Sequence, residues 1–253
     1  MCKFVMSVIL LFPILIFSQP EIDRSAEFLH EYLNHEHLDP QDIAPQITAF
    51  DLGTLWTYSG AREVVYGFIG MNYQRFYMHF ISVIKNPHDP RQYLVYGKSR
   101  VKENVCEFLG TIQILYVRKW RDRSDGATGD GIILARYEFF ENPSQTHTGI
   151  FKGIMMTEWF FGDAGQIQYF MTEADGASNN QCVGIWSAYG SAASRPCHWG
   201  DFRIPYSGDL DIGVGDFAPN PQYAKNGWEN YIKAFGGPED EDAMQLESVE
   251  WWK

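Results

Sequence analysis

The stretch Tyr73–Val117, YQRFYMHFISVIKNPHDPRQYLVYGKSRVKENVCEFLGTIQILYV, decides the fold. In its last third Cys106, Phe108, Gly110, Ile112, Ile114 and Tyr116 share one phase, against Glu107, Thr111 and Gln113 in the other. A period of two belongs to a half-buried strand, not to a helix. Upstream, Phe76, Met78, Phe80 and Ile84 alternate in the same way, and so do Tyr93, Val95, Gly97 and Val101. Between these two runs, Asn86–Pro90 (NPHDP) reads as a turn, because proline cannot donate to a strand ladder. Strands joined by such short turns must run antiparallel.

The pattern extends toward the C-terminus, with further strands expected at Ile132–Glu141, Gly149–Phe161, Gln166–Met171, Gln181–Tyr189 and Cys197–Ile204. Asn142–Pro143 and Gly162–Asp163–Ala164–Gly165 supply turns, and Arg121–Gly131 is a polar, glycine-rich loop. The fold class is therefore all-β: roughly eight antiparallel strands in a meander, which closes most simply into a barrel. Gly97, Gly110, Gly153 and Gly184 fall mid-strand in the inward phase. Such glycines mark either barrel corners or a backbone approached by something bulky.

Short helices are expected at both ends. Ile22, Ala26, Leu29 and Leu33 recur at helical spacing within Glu21–Leu38, and Asn220–Phe235 packs Tyr223, Trp228, Tyr231 and Ile232 on the barrel. His30, His35 and His37 do not share the i, i+4 face of a helical metal pair and read as a solvated helix end. Gly236–Lys253 is acidic and reads as peripheral.

Lys3 followed by the apolar run Phe4–Phe17 has the form of a secretory signal, too short for a comfortable membrane span. Ser18 suits the cleavage site and Gln19 would be the mature N-terminus. The chain then divides into a signal at 1–18, a helix and irregular lead-in at 19–60, a barrel at 61–217, and a C-terminal helix and acidic tail at 218–253. The expected location is secreted or periplasmic. Losing Lys3 changes 20 basic and 32 acidic residues to 19 and 32, a net charge of −13. Such a surface repels nucleic acid and anionic membranes. No stable membrane insertion and no cofactor are expected, and no protein partner can be named.

Cys106, Cys182 and Cys197 remain after cleavage, an odd number in an oxidising compartment. Opposing Cys182 to Cys197 puts the hairpin midpoint between Tyr189 and Gly190, inside the only turn-like run available, and within disulfide range. Cys106 is the competing partner. In that register Cys182, Gly184 and Trp186 share the inward face with Cys197, Trp199, Asp201 and Arg203. Inward Asp201 and Arg203 must pair with each other or with a ligand, because lone buried charges are costly. Trp186, Trp199, Asp201 and Arg203 thus form either a salt-bridged plug or the floor of a ligand pocket. A register slipped by one residue would put both charges in solvent.

The following GDLDIGVGD carries Asp209, Asp211 and Asp216, but Gly213 at the fifth position and the lack of a closing Glu depart from a calcium loop. No metal ligands are assigned. Gly-x-Ser-x-Gly, His-Glu-x-x-His and phosphate-loop patterns are absent, so no catalytic residues are assigned either. His198 lies beside Cys197, but a disulfide-bonded cysteine is no nucleophile.

Two resemblances rest on these residues. NNQCVGIW…CHWGDFRIPYSGDLDIG resembles the signature of a family of uncharacterised secreted bacterial proteins, which implies export and no settled activity. More loosely, the meander over about residues 60–205 resembles calycin barrels, the lipocalins and avidins, whose cups hold small apolar or planar ligands. The lipocalin Gly-x-Trp appears as Gly184–Ile185–Trp186, in a late strand rather than the first, while Gly53–Thr54–Leu55–Trp56 is one residue too long. No binding residue carries over. The expected function is a non-catalytic barrel binding a small apolar, aromatic or glycan ligand. The alternatives are a polysaccharide hydrolase with paired carboxylates and a structural envelope protein with a barrel packed solid.

Overall fold

The computed structural model describes residues 23–57, 65–121, 129–172, 175–238 and 240–253. The expected signal at 1–18 and the cleavage site lie outside the described residues. The strands are β1 (Val65–Ile69), β2 (Gln74–Lys85), β3 (Gln92–Val101), β4 (Asn104–Lys119), β5 (Gly131–Glu141), β6 (Gly149–Phe161), β7 (Ile167–Tyr169), β8 (Asn179–Ala188) and β9 (Ser194–Asp201). All neighbours pair antiparallel, and β5–β6 and β1–β9 pairings close the expected eight-stranded barrel.

Its membership differs from the expectation by one strand. β7 pairs only with the last three residues of β6 and stands outside the closed ring. Its place is taken by β1, too short at five residues to show a clear alternation. Two bulges also change the phase of long strands. The register shifts between Phe80 and Ser82, so Val83 packs on the core while Ile84 is 61% exposed. A second shift between Ile114 and Tyr116 turns Val117 inward and leaves Tyr116 to the outer face. One extra residue on a strand flips every side chain beyond it.

The barrel interior is filled by rings. Phe76, Phe108, Tyr137, Phe139, Phe151, Trp159 and Trp199 are all buried in one cluster. Phe108 stacks on Phe139 at 5.1 Å, Phe139 on Tyr137 at 5.2 Å, and Tyr137 meets Trp199 at 4.9 Å. The inward glycines face these rings: a Cβ on Gly110 would lie 2.8 Å from Phe139, and on Gly153 or Gly184 it would collide with the Tyr137 hydroxyl. Close neighbours therefore require the glycines, and those neighbours are the protein's own side chains together with carbonyls of adjoining strands, such as Glu138 O beside Gly110 and Lys152 O beside Gly184.

Helices α1 (Ser25–Leu33), α2 (Ala44–Ile47) and α3 (Gly53–Thr57) precede the strands. The lead-in expected to be irregular closes one barrel end, with Ile47, Leu52, Leu55 and Trp56 buried in the same core. Trp56 Nε1 donates to Thr157 Oγ1 at 2.9 Å, and the Leu52 amide donates to the Tyr93 hydroxyl at 2.9 Å. Helix α1 covers the outer face of β5, β6 and β8, packing Phe28 with Ile132, Leu134, Ile154 and Val183. This is why most of β5 is buried on both faces.

After β9 come a 3-10 turn (Pro221–Asn226), α4 (Glu229–Phe235) and α5 (Glu241–Glu247). Trp228 and Tyr231 pack with Phe68 and Phe217 against the outside of the barrel. The acidic tail is not peripheral. Glu247 takes both terminal nitrogens of Arg75, at 2.8 and 2.5 Å, where both side chains are nearly buried. Trp252 then stacks on His79 of β2 at 4.0 Å.

One consequence of the filled interior is measurable. The Tyr137 hydroxyl is fully buried and has no hydrogen-bond partner among the described residues. A buried unsatisfied polar group costs about 1–3 kcal/mol. Tyr137→Phe is therefore expected to be neutral or to stabilise by about 1 kcal/mol in urea denaturation. A loss above about 1 kcal/mol would show that the hydroxyl is bonded in solution.

Candidate functional site

The β8–β9 hairpin keeps the expected faces but not the expected register. Cys182 lies opposite Trp199, and Gly184 opposite Cys197, so the midpoint is one residue later than expected. A shift that moves the partner by two preserves the pleat and leaves the thiols diagonal. Diagonal neighbours are about 7–8 Å apart at Cα, beyond comfortable disulfide reach. No disulfide joins Cys182, Cys197 or Cys106, which are buried thiols, and this overturns the expected Cys182–Cys197 bond. Burial pushes the Cys106 thiol up to about 11 and Cys197 well above its ordinary value, so neither supplies a thiolate near neutrality.

The four residues expected to line one pocket are dispersed. Trp199 sits in the barrel centre, stacked into the aromatic core. Trp186 is half-buried at the end bearing the β5–β6 and β8–β9 turns. Asp201 is 1% exposed at the opposite end, where its Oδ2 accepts from Tyr169 Oη at 2.9 Å and Asn180 Nδ2 at 2.7 Å. Arg203 lies beyond β9 and turns outward to Asp211 at 2.9 Å and to the carbonyls of Gly213 and Gly215. The expected Asp201–Arg203 side-chain pair is absent, because the chain leaves the sheet after Asp201 through Phe202 in the left-handed region (φ 66°). His198 faces away from Cys197 across the pleat. Its Nδ1 meets the Pro205 carbonyl at 3.1 Å, and burial lowers it to about 4.

The aspartates of the following loop are tied into the fold by protein contacts. Asp211 pairs with Arg203 and accepts from the Gly213 and Ala218 amides, while Asp209 accepts from Tyr223 and Gln222. Among the described residues no group of three or more His, Cys, Asp or Glu side chains converges on one point.

Two polar centres mark the barrel ends. At the helix-capped end, Asn179 spends its whole amide inside the protein. Its oxygen accepts from the Glu158 and Asn180 amides, and its nitrogen donates to the Glu158 and Phe170 carbonyls. Asn180, in the left-handed region (φ 45°), joins Thr157, the Leu55 carbonyl and Asp201. Beside this network is a cavity of about 190 Å³, whose lining includes Glu158, Phe170, Met171, Asp175, Asn179 and Phe202. Trp120 Nε1 and the Gly129 amide both donate to Glu158 Oε1, at 2.8 and 2.7 Å. The cavity could not be read from the sequence, since its walls come from four segments, but Phe202 lay next to the flagged Asp201.

At the other end Glu141 is buried and forms no ion pair among the described residues. Its carboxylate accepts from Ser99 Oγ at 2.5 Å, the Gly149 amide at 2.8 Å and Trp186 Nε1 at 2.9 Å. Burial nevertheless raises its pKa against the pull of those three donors.

Comparison of the chain with protein-family models, with curated proteins and with solved structures returns no match. The roles of these residues therefore rest on geometry alone.

Glu141 makes a signed prediction. Its folded pKa lies above the ordinary 4.5, so the native state holds the proton more tightly than the unfolded chain does. Its contribution to stability is then largest in acid and falls as pH rises from 4.5 through the raised value. Gln can keep every bond, accepting from Gly149 and Trp186 while donating to Ser99. Glu141→Gln is expected to be at least as stable as wild type at pH 7 and to lose that part of the pH slope. His198 contributes the opposite slope, with stability rising between about pH 4 and 6.5, so the wild-type minus mutant difference isolates Glu141. A Gln variant weaker by over 1 kcal/mol in urea at pH 7 would refute the account.

Proposed function

We propose that this chain is an exported, non-catalytic binding protein. In this reading the filled barrel is a rigid scaffold, and a small aromatic or glycan ligand binds in the cavity beside its helix-capped end. The observation that carries it is the cavity whose lining includes Phe170, Asp175 and Phe202, beside the Asn179–Asn180–Asp201 hydrogen-bond network. Ring faces beside a few fixed polar groups suit planar ligands and sugar rings. Phe202 and Asn180 both hold strained left-handed backbone at this place. Such strain of about 1–3 kcal/mol per residue collects at ligand sites. The interior, occupied by Tyr137, Trp199 and their neighbours, leaves no lipocalin-like cup, so the ligand belongs at the rim.

A hydrolase is the second reading, favoured by one observation: two acidic residues, Glu158 and Asp175, line the same cavity. Glu158→Gln abolishing glycan cleavage while leaving glycan binding intact would select it.

Binding is checked by titrating the full chain with a panel of aromatic acids, aromatic amines and oligosaccharides, followed by tryptophan fluorescence. Phe170→Ala is expected to weaken the best binder at least tenfold, and Trp186→Ala to leave it unchanged. The reverse pattern, or no binder at all, would sink the cavity reading. Export has its own check: the intact mass of the native protein should begin at Gln19, and retention of residues 1–18 would refute it.

A further inference from the structure

We propose that the outer face of β2–β5 is the surface on which a second copy of this chain docks, giving a two-fold dimer. Two apolar regions of the barrel's outer face are covered by the chain itself. Helix α1 lies over Ile132, Leu134, Ile154 and Val183, and the C-terminal elements lie over Phe68. A third region stays exposed: Ile81 at 42%, Ile84 at 61%, Leu94 at 47%, Leu109 at 64% and Phe140 at 42%. Cross-strand pairing joins them into one patch. Ile84 lies opposite Leu94, and Leu109 lies between Tyr96 and Phe140, with Ile150 beyond Phe140. Leu94 and Tyr96 share a face of β3 and link the two rows. The solvated face of an antiparallel sheet is ordinarily polar, so these rows depart from the pattern that the rest of the outer surface follows.

The size of the patch suits a folded partner. With roughly 200 Å² per free side chain of this size, the exposed fractions amount to roughly 500 Å² of apolar surface. An interface of standard size covers about 800 Å² on each partner. About 57–65% of that is apolar, or roughly 450–520 Å². The exposed rows therefore supply what one half of a stable dimer needs.

The charges beside the patch select the partner. Glu138 is paired with Lys152 at 2.7 Å, and Lys98 lies opposite Glu107. Two acids and two bases leave these flanks neutral while offering both signs, so the surface complements a copy of itself. A strongly basic partner, drawn in by the chain's net negative charge, would meet Lys98 and Lys152 at contact. An anionic bilayer is repelled by the same net charge. Two copies also repel at long range, but in 0.15 M salt the Debye length is about 8 Å, so the neutral flanks decide the contact. A face that binds itself closes after two copies and leads to no further growth. None of its residues lines the cavity, so the dimer and the ligand-binding reading stand or fall separately.

Sedimentation equilibrium of the full chain at pH 7 tests the proposal. A monomer–dimer equilibrium is expected, with a Kd on the order of micromolar or tighter. Leu109→Lys is expected to weaken it at least tenfold. Val214→Lys, which places the same charge on a fully exposed apolar residue outside the patch, is expected to leave it unchanged. Added salt is expected to tighten the dimer or leave it as it is. Both substituted positions are exposed, so the urea midpoint should match wild type; should Leu109→Lys lower it, Leu94→Lys provides the same reading. A chain that stays monomeric at all concentrations would overturn the proposal. So would a dimer that survives both Leu109→Lys and Phe140→Lys, or one that salt dissociates. Binding of a monomer to phosphatidylcholine vesicles, lost in Leu109→Lys, would assign the patch to lipid and overturn it as well.

Discussion

An eight-stranded barrel has room inside for side chains and little else, and this chain spends that room on rings. Among the described residues eleven buried aromatic side chains share one core cluster, with neighbours stacked or edge-on at centroid distances near 5 to 6 Å. Each ring takes volume that a neighbouring strand must give up, which is why Gly67, Gly97, Gly110, Gly153 and Gly184 lie opposite ring atoms. The glycines weaken their own strands, since they bring no side chain to pack. The rings compensate by burying large apolar surfaces, at about 25 cal/mol per Å². Any β-carbon on the glycines would have to displace a ring in a close-packed interior.

Filling the centre pushes the polar groups to the two ends, where the sheet's hydrogen bonding runs out. At the helix-capped end, Asn179, Asn180, Thr157 and Asp201 satisfy one another and the carbonyl of Leu55 in α3. At the other, Glu141 gathers a hydroxyl, an amide and an indole. The two networks differ in consequence. The first interrupts the β8 ladder between Asn179 and Cys182 and carries a strained backbone beside an open cavity. The second is sealed, with Ser99 and Glu141 each 3% exposed. A sealed carboxylate adjusts stability with pH, whereas a cavity can exchange a ligand with solvent.

The fold was legible because alternation survives over long strands such as Asn104–Ile114, and because short turns admit only antiparallel pairing. Closure and strand number followed from the same pattern. The errors have local causes. Bulges near Ile81 and Leu115 insert one residue and reverse the phase, which no periodicity can announce. β1 was too short to show a pattern, and β7 showed one without joining the ring. The hairpin missed by two residues because the run Gly190–Ser194 permits more than one turn, and a two-residue change leaves the hydrophobic faces intact. That small error dissolved the disulfide while keeping Trp199 and Asp201 inward. Arg203 was misread for another reason: alternation was extended past the end of β9, where the chain had already turned away.

The same geometry explains why a binding site, if a filled barrel is to have one, falls beside the strand ends rather than in the middle. Along a wall, each side chain is fixed by cross-strand neighbours and each backbone group is paired. Where β6, β8 and β9 finish or begin, these constraints lapse, and loops of different origin meet. Phe170 follows β7, Asp175 precedes β8, Phe202 follows β9 and Glu158 stands in β6 just before the three residues that pair with β7. Their convergence is set by strand register, since Asn179 and Asp201 face each other across β8 and β9 and hold both loop bases together. A shift of that register by one residue would expose Asp201, separate Phe202 from Phe170 and empty the cavity of its walls. The packed core, by locking the register, thus fixes where this cavity opens.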